Sequence, residues 1–413
     1  MKDGIAVIGA GRIGVPWAAV LSVELSETVT CIDVDPDRVD TINRGEAPFQ
    51  EPQLESYIET GVAEGTLSAT TDPSVISDHQ YVAITVNAPR NRMEEFLDVI
   101  REYAEFIDDD HVIINRTTIP VDVVTKMEAT IADSAASDPT FTVFPERLAE
   151  GKAIEEIKTL PKIVGVSDER GKDQMTELLA GLECDIEFTD PETTMFVKLI
   201  DNSYRDALFA IANQIAFTAD QLDLDAHTAI SLANREYPRN DIPTPGTVGG
   251  KCLPKDPHFL MDSRVCEQPT TPDLFSATRR TNSSIPAYVV TEILRQQPTA
   301  VAVLGTSYKG GVGDTYNSPA KRIADDLQAQ GIAVSAYDPY VTTDATLEET
   351  LSGADTVILA VNHPEFDGIE PTINETVASD AIVYDLWGML EETRLERPYE
   401  GFGIAPKPNA DRS

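Results

Sequence analysis

Six residues near the amino terminus, Gly9-Ala10-Gly11-Arg12-Ile13-Gly14, constrain the fold more than any other stretch of this chain. They follow an apolar run, Ile5–Ile8, and open an amphipathic segment, Val15–Leu25. Glycines at the first, third and sixth places allow a tight turn, close approach of a pyrophosphate and close packing of helix on strand, and the helix N-terminus then faces the phosphates. A second apolar run, Val29–Ile32, ends at Asp33. An acid about 20 residues beyond the turn is placed to meet ribose hydroxyls. Strand, turn, helix, strand and acid in this order dictate a βαβ unit, and so a parallel sheet. A tight turn with no ligand is the alternative, and the acid speaks against it. Asp33 with no Arg beside it favours NAD over NADP, because a 2′-phosphate would meet a negative charge.

The rest of the chain continues the alternation of β-rich and helical runs that marks α/β architecture. Further strands are expected at Tyr81–Val86, Val112–Asn115, Thr140–Phe144 and Lys162–Val166, with a helix at Met93–Phe106. From Glu192 to about Leu224 an apolar-periodic run without Gly or Pro is too long for a crossover helix. Thr228–Asn234, a Pro/Gly-rich loop at Pro238–Pro257 and a shorter helical piece, Asp273–Ser284, lead to Pro286. Alternation then resumes with Ala300–Leu304, Ser318–Gln330, Val334–Tyr337, Thr356–Ala360 and Ala381–Asp385. The expected fold is α/β: two Rossmann-like parallel-sheet domains, residues 1–190 and 289–413, joined by a long central helix in a helical domain, residues 191–288. The Pro-containing tail after Gly401 is expected to be poorly ordered.

Composition narrows the function classes. The chain has 413 residues, 70 of them acidic and 32 basic, for a formal net charge of −38. That field repels nucleic acid and anionic membranes. The acids are dispersed, as in Asp108-Asp109-Asp110, Glu155-Glu156 and Asp325-Asp326, which reads as a surface kept soluble in concentrated salt. No apolar run approaches the ~18 residues of a membrane helix. Met1-Lys2-Asp3 leads directly into the first strand without a signal-peptide core, so a cytoplasmic location is expected. Four cysteines, at 31, 184, 252 and 266, have no CxxC spacing, and five scattered His residues form no HExxH, so no metal site is expected.

Four segments carry candidate chemistry. Gly249-Gly250-Lys251-Cys252-Leu253-Pro254-Lys255-Asp256 places a thiol between two lysines, whose charge favours the thiolate, with an acid able to orient a water. Its two glycines let the backbone approach a ligand. Lys198 and Asn202 lie four apart on the long helix, so an ammonium and an amide project together; a snorkelling Lys on a packed helix is the plainer reading. Asn115-Arg116-Thr117-Thr118-Ile119-Pro120 follows a strand, where Thr118 offers either a hydroxyl to a ligand or a helix cap. In Phe144-Pro145-Glu146-Arg147-Leu148-Ala149-Glu150-Gly151, Glu146 and Glu150 share a face if the segment is helical; otherwise they are two surface acids.

In order along the chain, these segments resemble the UDP-glucose/GDP-mannose dehydrogenase family from Gly9 to about Gly388. Leu304-Gly305-Thr306-Ser307-Tyr308-Lys309, Asp314, Ser318-Pro319, Tyr337-Asp338-Pro339 and Asn362-His363-Pro364-Glu365-Phe366 add to the resemblance. It implies oxidation of the C6 alcohol of a UDP-sugar to the carboxylate with two NAD⁺, a homodimer built on the central helix, and a part in polysaccharide biosynthesis. Gly9, Gly11, Arg12, Ile13, Gly14, Asp33 and Thr118 would hold NAD. Cys252 would capture the intermediate aldehyde, with Lys198 and Asn202 on the oxyanion. Asp256, Glu146 and Thr118 would organise the hydrolytic water. Glu150, Arg239, Gly249, Gly250, Lys255 and Lys309 would lie in or beside the sugar-nucleotide site. Pro145-Glu146-Arg147, Pro238–Ile242 and His363–Phe366 resemble the UDP-N-acetyl-mannosamine branch more than the UDP-glucose branch.

Three positions depart from the family pattern. The loop after Tyr81–Val86 is a short Asn87-Ala88-Pro89. Asp314-Thr315-Tyr316-Asn317 lacks the usual Arg two residues after the Asp. Lys251 precedes the Cys in place of the commoner Ser, His or Pro. A two-electron hydroxyacid dehydrogenase would share the glycine turn and the Lys-x-x-x-Asn helix, but needs neither Cys252 nor a second α/β domain. A non-catalytic nucleotide-sugar-binding protein would not need the Cys, Lys and Asn set. The charge balance supports the hypothesis of a protein adapted to a salt-rich cytoplasm. If so, raising KCl from about 0.1 to about 2 M, where screening shortens to a few Å, raises the thermal midpoint; a midpoint that stays flat or falls across that range refutes the adaptation.

Overall fold

The computed structural model describes residues 2–182, 184–263, 273–342 and 345–405. Cys266 and the last eight residues lie outside the described residues. The chain divides into two compact units, residues 1–201 with 258–268, and residues 202–257 with 269–413.

The first unit is built on an eight-stranded sheet. Its strands are β1 (Ile5–Ile8), β2 (Val29–Ile32), β3 (Leu67–Thr70), β4 (Tyr81–Ile84), β5 (Val112–Asn115), β6 (Thr140–Val143), β7 (Lys162–Val166) and β8 (Ile186–Thr189). Their order is β3-β2-β1-β4-β5-β6-β7-β8, so the chain reverses direction between β1 and β4. Parallel pairing runs from β3 to β6; β7 is antiparallel to β6 through Thr142 opposite Val166 and Val143 opposite Gly165. β1, β4 and β5 are buried along their whole length because helices cover both faces. The two-residue period of β1 divides the core: Ile5 and Val7 pack with Trp17, Leu21 and Ile58, while Ala6 and Ile8 pack with Ile100, Val124 and Met127. Edge strands β3 and β8 were not expected, since their four residues alternate too weakly to stand out. β4 stops at Ile84 rather than Val86 because the Thr85 hydroxyl turns back to donate to the carbonyls of Ile8 and Gly9.

The second unit carries a five-stranded, all-parallel sheet: β9 (Ala300–Leu304), β10 (Ala333–Tyr337), β11 (Thr356–Leu359), β12 (Ile382–Asp385) and β13 (Tyr399–Gly401), in the order β10-β9-β11-β12-β13. The long helix is Pro191–Gln221, followed by Ala226–Asn234. Among the described residues no helix is long and apolar enough to cross a membrane.

Two expectations are corrected here. The helix starting near Asp273 does not end before Pro286 but runs through it, Leu274–Arg295. An interior proline costs roughly 3 kcal/mol. Beyond it, Val289, Val290 and Ile293 are buried against Val301, Val303, Ile323 and Leu327. Each such side chain gains about 1.5–3 kcal/mol, so packing outweighs the lost hydrogen bond. The expectation for the tail is corrected for residues 402–405 alone, since its prolines, in 406–413, lie outside the described residues. Phe402 is fully buried against Phe217 and Tyr288, and Gly403 donates to Asp220 (2.9 Å) and accepts from the Ala226 N–H (2.7 Å).

A buried polar chain ties the helices of the second unit to the loop that leads to Cys252. Arg279 pairs with Asp206, and Asn282 donates to the Asp206 carboxylate (2.8 Å) and carbonyl (2.9 Å). Asn213 donates to Asn282 (2.9 Å) and accepts from the Gly246 N–H (2.8 Å). Arg279→Met strands the Asp206 charge and is expected to cost about 3–5 kcal/mol in urea unfolding. Arg279→Met with Asp206→Leu is expected to recover most of that loss; equal losses in the single and double variants would show that the ion pair is not the source.

Candidate active site

The glycine turn follows β1, and its three glycines do different work. A Cβ on Gly14 would sit 2.0 Å from the Gly9 carbonyl oxygen, and one on Gly9 (φ +103°) would sit 2.9 Å from the Thr85 hydroxyl. Both are therefore excluded by packing. A Cβ on Gly11 would meet nothing within 4 Å, so this glycine faces open space of the kind a close-lying phosphate needs. The helix that follows, Gly14–Glu24, has no side-chain cap and no acid in its first turn, although the chain is rich in acids. Its Val15 N–H bonds the Gly11 carbonyl (3.1 Å) and Pro16 has no N–H, so what it offers a pyrophosphate is chiefly the positive end of the helix. Ile13 is its N-cap. These features fit NAD.

Asp33 is buried at the end of β2, accepting from the Ala10 N–H (2.7 Å) and the Asp35 N–H (3.0 Å). The expectation that no Arg stands beside it is overturned: Arg38 lies 3.0 Å from its carboxylate and 3.5 Å from that of Asp35. The helix Pro36–Asn43 starts at once, with Asp35 as its cap, and its first turn brings Arg38 back over Asp33. Asp33 and Asp35 thus both engage this cation.

At the carboxyl ends of β5 and β6 the structure joins residues that the sequence left apart. Residues 144–149 are irregular rather than helical, so Glu146 and Glu150 do not share a helix face. Neither is a surface acid. Glu146 is buried, pairs with Arg116 and accepts from the Arg147 N–H (3.1 Å). Glu150 pairs with Arg12, whose guanidinium also stacks on Phe49 (5.1 Å). Arg116, which sequence reasoning passed over, is held between Trp17 (4.3 Å) and Phe144 (4.5 Å). Burial pulls its guanidinium below the ordinary value, and the Glu146 charge opposes that. The available signal was a charged residue directly after a strand buried along its whole length, Val112–Asn115. Thr118 is half-buried in the next loop, while the neighbouring Thr117 hydroxyl is occupied by the Ile84 and Val86 carbonyls. The short loop after β4 is anchored by Arg90, bidentate to Asp262 at 2.6 and 3.0 Å.

In the second unit the Cys252 segment is fixed from both ends. Asn202 donates to the Asp256 carboxylate at 2.6 Å, and both side chains are buried. Asp256 opens the short helix Asp256–Asp262, and its N–H, like that of Lys255 (3.0 Å), donates to the Cys252 carbonyl (2.9 Å). Cys252 itself is exposed. Lys198 is buried one turn before Asn202 on the same helix.

The structure adds neighbours to this segment. At Gly249 and Gly250 added Cβ atoms would lie 2.5 Å from Pro319 and 2.7 Å from the Tyr308 ring. The two glycines let the segment dock on the 305–318 loop, where Asn317 donates to the Gly250 carbonyl (3.1 Å). Lys251 points to that loop too, 3.5 Å from Asp314 and over the Tyr316 ring (5.3 Å). Lys255 lies 3.9 Å from Asp256. Each of the two lysines thus has a carboxylate within 4 Å. Lys309 stands over Tyr308 (5.8 Å), and Arg239 stacks on Tyr237 (4.7 Å) in an exposed loop.

A glycine fingerprint at a strand's carboxyl end, with an acid placed to meet the ribose, marks a dinucleotide-binding protein. Comparison with known proteins makes this specific. The NAD binding domain of the UDP-glucose/GDP-mannose dehydrogenase family matches residues 3–183, its central domain residues 192–284 and its UDP binding domain residues 302–392. A UDP-N-acetyl-D-mannosamine dehydrogenase of Pyrococcus horikoshii is 30% identical over 97% of this chain and 99% of its own. A solved structure of the enzyme from that organism superposes with a TM-score of 0.88 over 98% of this chain and 99% of that one. The Staphylococcus aureus UDP-N-acetyl-mannosamine dehydrogenase, 26% identical, gives 0.84 over 97% and 99%. The chain belongs to the UDP-glucose/GDP-mannose dehydrogenase family, as an NAD-dependent nucleotide-sugar dehydrogenase.

The Asp33–Arg38 pair yields a test. Asp33→Ser frees Arg38 and removes the ribose acceptor, so the NADP-to-NAD ratio of kcat/KM is expected to rise ~10–100-fold, the worth of one charge-assisted hydrogen bond. In an Arg38→Ser background the same change is expected to give a markedly smaller rise, since only the loss of the acceptor and of its negative charge then contributes. A similar rise in both backgrounds would clear Arg38 of any role.

Proposed function

We propose that the protein oxidises the C6 alcohol of UDP-N-acetyl-mannosamine to the uronate in two oxidations, through a covalent intermediate on Cys252. The observation that carries this reading is the Asn202–Asp256–Cys252 connection. A buried amide and a buried carboxylate, 2.6 Å apart, hold an exposed thiol whose carbonyl anchors the Asp256 N–H. The sugar assignment is supported by relatives of that activity across the length of the chain.

NAD, when bound, accepts hydride from the sugar carbon in each oxidation. Lys198 takes the alcohol proton, and Lys198 and Asn202 stabilise the oxyanion by an ammonium and an amide N–H, which gain strength in a buried setting. The Cys252 thiolate adds to the aldehyde carbon, and the carbonyl oxygen takes up a proton to give a thiohemiacetal. Loss of hydride from that carbon and of the hydroxyl proton leaves a thioester. Water held by Asp256, Glu146 and Thr118 adds to the thioester, the C–S bond breaks, and the thiol and the carboxylate are released. Tethering keeps the carbon in place between oxidations, which a free hydrated aldehyde would not. The balance is one alcohol, two NAD⁺ and one water to one carboxylate, two NADH and three protons.

Glu150, Arg239, Lys255 and Lys309 serve the nucleotide sugar, and Gly249 and Gly250 serve it indirectly by seating the Cys252 segment. Residues 1–190, 191–288 and 289–413 then act as the cofactor, central and nucleotide-sugar segments. Phe196, Ile200, Tyr204 and Ile211 are exposed on one face of the helix Pro191–Gln221. That stripe supports a homodimer.

Cys252→Ser is expected to abolish uronate formation while NAD and UDP-sugar binding persist within about threefold, since the hydroxyl is a much weaker nucleophile. The unaltered protein is expected to release two NADH per UDP-N-acetyl-mannosamine consumed. One NADH per sugar, or sustained acid production by the variant, would refute the covalent route.

A further inference from the structure

We propose that His363 is a positioning residue for nucleotide binding: with Asp338 and Ser307 it forms a buried strut that holds the loop 305–318 in its binding shape. This rests on the reading of the second unit as the nucleotide-sugar segment.

In the strand order β10-β9-β11 the chain reverses direction between β9 and β11. In open parallel sheets ligands lie beyond the carboxyl ends of the strands at such a reversal. The loops that leave β9, β10 and β11 there contribute Ser307, Asp338 and His363 respectively. All three are buried. Asp338 accepts from the N–H groups of Thr306 (2.7 Å), Ser307 (2.8 Å) and Tyr340 (2.9 Å). The Gly311 N–H donates to Nδ1 of His363 (3.1 Å), so that nitrogen is the acceptor and the ring proton sits on Nε2. Nε2 lies 3.1 Å from the Asp338 carboxylate and 2.9 Å from the Ser307 hydroxyl, which donates in turn to the Lys309 carbonyl (3.2 Å). Tyr340 stacks on the imidazole (5.2 Å, 23°) and Phe366 meets it edge-on (5.5 Å, 82°).

One imidazole and one carboxylate therefore fix the loop at 306, 307, 309 and 311. The partners separate the two units. One Asp338 oxygen takes the Thr306 and Ser307 N–H groups and His363 Nε2, and the other takes the Tyr340 N–H. Asp33, at the matching place in the first unit, accepts from two backbone N–H groups, and its remaining neighbour is Arg38, a cation 37% exposed. The acid of the first unit has an exposed cation at its side, whereas that of the second is closed off by a buried imidazole. What is left to the ligand in the second unit is the loop whose shape this pair sets, with Lys309.

The test uses the full-length protein and UDP alone as probe, by calorimetry, beside steady-state kinetics. Ser307→Ala and His363→Gln are expected to weaken UDP binding and raise KM for the UDP-sugar by about tenfold, the scale of a lost hydrogen bond to a charged group. KM for NAD and kcat at saturating sugar are expected to stay within about twofold, a split that general destabilisation would not produce. Should His363→Gln fail to fold, Ser307→Ala, which removes one buried hydroxyl, decides. UDP binding unchanged in a folded variant overturns the strut and leaves the nucleotide-site reading standing. No UDP binding by the unaltered protein overturns both.

Discussion

Both sheets of this protein depend on one arrangement: an acid at the end of one strand accepts hydrogen bonds from the first backbone N–H groups beyond the neighbouring strand. Asp33 does this for Ala10, and Asp338 for Thr306 and Ser307. N–H groups leaving a buried strand have lost their ladder partners, and leaving them unpaired costs about 1–3 kcal/mol each. The acid meets that need and at once fixes the turn that leaves the strand. The internal partner of each acid then sets its remaining chemistry, an exposed Arg38 in one unit and a buried His363 in the other.

Much of the fold was legible in the sequence because buried parallel strands are nearly continuous apolar runs. Ile5–Ile8, Val112–Asn115 and Ala300–Leu304 stand out for that reason. β3, β8 and β13 did not, being short and lying at sheet edges or near them, where half the residues are polar. Pro286 misled because a local rule about helix interiors says nothing of the apolar surface waiting beyond it. Phe402 was missed for the mirror reason: a tail looks dispensable until the aromatic pocket that receives it is seen.

The candidate site divides in the same way. Residues whose role depends on local backbone, such as Gly9, Gly11 and Gly14, could be read from spacing. Partners could not. Arg38 beside Asp33, Arg116 beside Glu146 and Lys251 beside Asp314 are set by how loops fold back, and no periodicity encodes that. Gly249 and Gly250 show the limit most clearly. Two adjacent glycines announce a close approach, but the sequence does not say whether a ligand or a neighbouring loop is approaching.

That neighbouring loop has a mechanical consequence. Because Tyr308 and Pro319 fill the space above Gly249 and Gly250, and Asn317 bonds the Gly250 carbonyl, the residues just before Cys252 and the loop 305–318 share one packed seam. Any side chain larger than hydrogen at 249 or 250 would press the two segments apart, so these glycines set the spacing between the thiol's segment and its neighbour.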